Sequence, residues 1–147
     1  MQELLIRKLH DYLGDNNPDI LIKLQSTGNV TQYLKEKVSS VDSMMMELIR
    51  TDTDPYFIEE LCMYSLTADL RPSRFNCVKE IFEEEFEQLS LMYYEMGILR
   101  FELLNMVEAF TPIFEALHFS EDNVESRLLR YAICGAIQNY IESKKWN

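Results

Sequence analysis

The stretch EIFEEEFEQL, residues Glu80–Leu89, decides the fold. Five of its ten residues are glutamates: Glu80, Glu83, Glu84, Glu85 and Glu87. Each residue turns about 100° around a helix axis. With Glu80 as origin, Glu83, Glu84 and Glu87 fall within roughly 60° of it. Phe75, Val78, Ile81, Phe82, Phe86 and Leu89 fill the opposite arc. No period of two competes with this spacing, so the stretch reads as an amphipathic helix, with Ser73 as its N-cap. Four of the acids then share one solvated face. Glu80, Glu83, Glu84 and Glu87 keep the chain in water, and together they form a candidate acidic docking face.

Glu85 points between Val78 and Ile81, into the apolar arc. A carboxylate there must pair, neutralise or sit at the rim of the core. Arg100, Arg127 and Arg130 are its candidate partners. A structural ion pair is the favoured reading; a ligand-binding or proton-transferring carboxylate in a pocket, and plain exposure at the rim, are the others.

The same helical period extends in both directions. Leu5, Ile6, Leu9, Tyr12 and Leu13 form a stripe that Gly14 should end. Asn17 and Pro18 then start a short helix in NPDILIKLQ. A longer helix is expected from Asn29 to about Thr51. Asp54 and Pro55 open the next, YFIEELCMYSLTADL, which is apolar nearly all round and therefore expected near the centre of the fold. After the glutamate-rich helix, Gly97 makes a break in YYEMG. Another helix spans about Ile98–Leu117, bent at Pro112 because proline removes one hydrogen bond. Ser120 or Asp122 should cap the last helix, to about Lys144, in which the small residues of AICGAI let another helix approach. The sum is an all-α fold: a compact, single-domain bundle of about six or seven helices over residues 1–147 with one core.

The charge pattern narrows the partners. The net charge is −11. Residues 1–50 hold 6 Lys/Arg against 7 Asp/Glu, residues 51–120 hold 4 against 14, and residues 121–147 hold 4 against 4. The middle of the chain thus carries nearly all the negative charge. Direct nucleic-acid binding is not expected, because phosphates need clustered Lys and Arg. An acidic face can instead meet a basic partner, or imitate nucleic acid toward a protein that binds it. The opening MQELLIRKLHDYLGD carries acids at Glu3 and Asp11 and does not read as a secretory signal. No apolar run approaches the roughly 20 residues of a membrane span. Cys62, Cys77 and Cys134 lack C-x-x-C spacing and read as buried thiols in a reducing cytoplasm.

Catalytic and metal chemistry finds little support. A di-iron bundle needs two Glu-x-x-His pairs. EALH supplies Glu115 and His118, but the other histidine, His10, has Arg7 three places before it. No phosphate loop or nucleophile motif is present. Met44, Met45 and Met46 read as edge, core and surface. Met46 and Trp146 are candidate interface anchors, and Tyr93 and Tyr94 candidate exposed aromatics. Arg71 and Arg74 flank a helix start, where anions are favoured. No cofactor and no metal site is expected.

The run ELCMYSLTADLRPSRFNCVKEIFEEEFEQL, Glu60–Leu89, resembles the centre of a Bacteroidetes family of short, acidic, all-helical proteins, a domain of unknown function. The resemblance extends to NPDIL and to LLRYAICGAIQNYIES with its Gly135. It implies an all-α bundle and no established activity. Members are often associated with conjugative or mobilisable elements, which implies an accessory or regulatory role; no site residues follow from it. Three functional expectations result. The first is a non-enzymatic cytoplasmic bundle acting through protein contacts, with a homodimer as one form. The second is an acidic accessory, or DNA mimic, that modulates a DNA-processing protein of a mobile element. The third is a small-molecule binder or enzyme with Glu85 in a pocket.

Overall fold

A computed structural model of the chain describes residues 1–144. Among them the regular structure is entirely helical: α1 (Gln2–Asn16), α2 (Pro18–Ser26), α3 (Val30–Ser39), α4 (Asp42–Arg50), α5 (Pro55–Leu66), a 3-10 turn (Ala68–Leu70), α6 (Arg74–Glu85), α7 (Glu87–Glu95), α8 (Leu99–Ala109), α9 (Thr111–Ala116) and α10 (Arg127–Lys144). No helix is long and apolar enough to cross a membrane among the described residues.

Among the described residues the α-helices number ten, not six or seven, because three expected long helices are each broken once. In SSVD, the Val41 N–H bonds to Val38 O, and Ser40 bonds Lys37 O through both its N–H and its hydroxyl. These short-range bonds tighten the chain and separate α3 from α4. At Phe86 the backbone turns out of the helical region (φ −130°, ψ 48°) and ends α6. The Phe86 ring instead stacks on Phe82, with centroids 5.8 Å apart. Pro112 breaks its helix outright instead of bending it. Its missing N–H falls in the first turn of α9, where no partner is needed, and Phe110 forms the joint.

Four helices end in a residue with positive φ: Gly28 and Gly97 as expected of glycine, and Asp52 and His118 against the usual preference. Each shows the paired bonds of a Schellman motif, such as His118 N–H to Glu115 O and Phe119 N–H to Phe114 O. Gly14, by contrast, ends nothing; α1 runs on to Asn16. The final helix is capped by Ser126, whose hydroxyl accepts from Leu129 N–H at 3.1 Å, and not by Ser120 or Asp122. Ser120 and Asn123 are engaged in bonds within the preceding loop.

The chain divides into two compact units, Met1–Arg71 and Pro72–Asn147. Each buries its own apolar cluster, where the length had suggested one core. In the first unit the helices run only 9 to 15 residues and close around a small centre. Leu5, Leu9 and Leu13 of α1, on one stripe, are fully buried against α2, α3 and α5. Asn17 heads α2 without capping it; its Nδ2 donates to Leu70 O at 3.1 Å and is buried. α5 is not central. Ile58, Cys62 and Leu66 face inward, while Tyr56, Phe57, Leu61 and Tyr64 are exposed.

In the second unit α6 packs on α7, α8 and α10. Its Phe75, Val78, Ile81 and Phe82 meet Leu103, Met106 and Val107 of α8, Phe114 of α9, and Leu129, Ile133 and Ile137 of α10 in one cluster. The small-residue stretch of α10 does not bring another helix against Gly135: a Cβ built there meets nothing within 4 Å.

Candidate docking site

The glutamates of α6 divide differently from the helical wheel. Glu80, Glu83 and Glu87 are exposed, as expected of a solvated face. Glu84 is not free: Arg130 Nη2 donates to its Oε2 at 2.6 Å. The same nitrogen donates to Glu85 Oε1 at 2.8 Å. Arg130 of α10 is therefore the partner of Glu85 among the three candidate arginines. Arg127 is the first residue of α10, and the Arg100 guanidinium lies 6.0 Å from the Phe75 ring centre. The two carboxylates raise the pKa of Arg130, chiefly through its hydrogen bond to Glu85, then that to Glu84.

Glu85 is not buried: 48% of its side chain is accessible. The wheel placed it inward on the assumption that α6 continues. Glu85 is instead the last residue of α6, and Phe86 takes the inward position beyond it. A carboxylate at the rim reaches an arginine without leaving water. Glu85 lines neither cleft described below.

The buried carboxylate is Glu102, on α8, with 6% of the residue exposed. Its Oε2 accepts from Tyr140 Oη at 2.7 Å and its Oε1 from Lys144 Nζ at 2.9 Å. Both partners lie on α10, one turn apart. Tyr140 titrates above its usual range, first because of burial and then because of the hydrogen bond to Glu102. Lys144 is also raised, mainly by its bond to Glu102. The signal was available: Glu102 stands three residues after Leu99 and four before Met106, inside the apolar stripe.

Other singled-out residues have structural roles. Arg71 donates to Tyr64 O at 3.0 Å and lies over the Tyr64 ring. Arg74 lies 5.2 Å from the centre of Phe114. His10 is exposed, 3.8 Å from Asp11. Among the described residues no group of three or more His, Cys, Asp or Glu side chains could hold a metal ion. Met45 is buried, Met44 packs at the edge of the core, and Met46 is exposed. Tyr93 is half-buried against Phe82, not exposed, whereas Tyr94 is 70% accessible. Trp146 lies outside the described residues. Burial raises all three thiols, and Cys77 furthest, to about 11.

Among the described residues, two shallow clefts bear on binding. One, of about 310 Å³, is lined by Glu83, Glu87, Ser90, Leu91, Tyr94 and Leu99. The other, of about 270 Å³, lies in the first unit against Leu24, Asn29, Gln32, Tyr33 and Glu36. In the second, Gln32 already donates to Glu36 at 2.9 Å. The first cleft combines exposed carboxylates with apolar walls and carries the stronger binding chemistry. Comparison with family models, with curated proteins and with solved structures found no match.

Proposed function

We propose that this chain is a non-enzymatic helical protein that acts by contacting other proteins, a second copy of itself being one such partner. The observation that carries the reading is the outer face of α5. Phe57, Leu61 and Tyr64 follow one another at helical spacing, and each is 47% exposed or more. Tyr56 flanks them and is equally open. Scattered exposed apolar residues are ordinary, but aromatic side chains in register on one helix are the usual anchors of an interface.

A second reading is an acidic accessory that modulates a DNA-processing protein of a mobile element. The exposed carboxylates Glu80, Glu83 and Glu87 favour it, and the family resemblance supplies the mobile-element setting.

Sedimentation velocity over a hundredfold concentration range, with capture from the native host, tests the first reading. Self-association or partner capture should be lost in a Phe57→Ser/Tyr64→Ser variant that stays folded. A strict monomer whose captured partners are unaffected by these changes would overturn it.

A further inference from the structure

We propose that the cleft between α6, α7 and the start of α8 receives a lysine or arginine side chain from a basic segment of a partner protein. This inference rests on the protein-contact reading, but it uses a different surface from the α5 stripe.

The cleft owes its shape to the break at Phe86. Because α6 stops there and α7 restarts at Glu87, Glu83 and Glu87 border one opening together with side chains from the following helices. Glu83 has one neighbouring cation: Lys79 Nζ, at 4.0 Å, with both side chains nearly half exposed. That pair is at the limit of contact and contributes little. Glu87 has no ion-pair partner among the described residues. Glu84, next to Glu83, shares Arg130 with Glu85. Glu83 and Glu87 thus bring weakly compensated negative charge to the cleft.

Ser90 adds an independent observation. It is only 7% exposed, yet it lines the cleft. Its N–H bonds to Phe86 O, and its hydroxyl has no hydrogen-bond partner among the described residues. That hydroxyl opens to the cleft and is free to make a further hydrogen bond there. Leu91, Tyr94 and Leu99 complete the walls, Tyr94 being the most open.

These features select the occupant. An anion is repelled by Glu83 and Glu87. A purely apolar ligand would desolvate two carboxylates and a hydroxyl without replacing their hydrogen bonds. A long cationic side chain meets every group: its alkyl stem covers Leu91 and Leu99, its head reaches the carboxylates and Ser90, and Tyr94 offers an aromatic face. The net charge of −11 draws such a segment in from a distance.

The test is fluorescence polarisation of the full chain with a labelled peptide of alternating arginine and leucine. Citrulline replaces arginine in a control peptide, and spermine serves as a small competing cation. The arginine peptide should bind, and a Glu83→Gln/Glu87→Gln variant with unchanged circular dichroism should bind it at least tenfold more weakly. Citrulline should cost as much, and Tyr94→Ser several-fold. Glu121→Gln, outside the cleft, should change affinity less than twofold. Absent binding, unchanged affinity in the double variant, or an equal loss from Glu121→Gln would overturn the proposal. Displacement by spermine at the peptide's own concentration would give the cleft to a polyamine and overturn it too. Phe57→Ser/Tyr64→Ser should leave peptide binding intact, so failure of the α5 interface and failure of the cleft are read separately.

Discussion

Tyr140 donates its hydroxyl proton to Glu102 at 2.7 Å, and Lys144, one turn further along α10, holds the other oxygen of the same carboxylate. The second unit thus buries this carboxylate where two donors from one helix meet it. Truncation would leave the Tyr140 hydroxyl without its acceptor. Glu102→Ala should lower stability by about 1–3 kcal/mol, and Glu102→Gln, which keeps an acceptor for Tyr140, by about 1 kcal/mol or less. Urea unfolding of both variants checks the order; equal losses would show that the hydrogen bond to Tyr140 contributes nothing.

The same cluster sets an alkaline limit. Tyr140 and Lys144 both titrate above their usual values in the folded chain. A group whose folded pKa is raised contributes stability below its unfolded value and loses it as pH rises through the folded one. The contribution is therefore complete at neutral pH and fades from about pH 10 upward. Urea midpoints at pH 8 and pH 11 should fall further in the wild type than in Glu102→Gln.

Arg130 bridges Glu84 and Glu85, yet its removal should matter little. The three side chains are 34%, 53% and 48% accessible, and water screens them. Arg130→Ala should lower stability only slightly. The cost should shrink in high salt, as thermal unfolding with and without added salt will reveal.

Gly135 stands inside α10 with open space where a Cβ would go. Alanine there removes the entropic penalty of glycine and meets no neighbour. Gly135→Ala should raise stability by about 0.5–1 kcal/mol. A loss of stability in chemical denaturation would mean that the position is covered by something else in solution.

The thiol of Cys77 is buried and pushed up to about 11, by burial first and then by the charges of Glu80 and Glu125. It is protonated at pH 8 and a poor nucleophile. A disulfide reagent should leave it unmodified in the native chain and react with all three cysteines after unfolding.

Helical class, the amphipathic face of α6 and the burial of Leu5, Leu9 and Leu13 were all legible in the one-dimensional spacing, because helical period and apolar pattern are local properties. The terminating glycines Gly28 and Gly97 were equally readable, since positive φ suits glycine. Glu85 and Glu102 mark the boundary. A helical wheel gives the direction of a side chain but neither the end of its helix nor the reach of the core. Glu85 falls in the apolar arc of the wheel yet is wet because α6 stops beside it; Glu102 sits in an apolar stripe and is dry because α10 brings Tyr140 and Lys144 to it. The breaks at Val41, Phe86 and Phe110, the two separate cores, and the cleft that the Phe86 break opens depend on contacts distant in the chain. Only the folded structure decides them, because packing selects among local conformations that differ by little more than thermal energy.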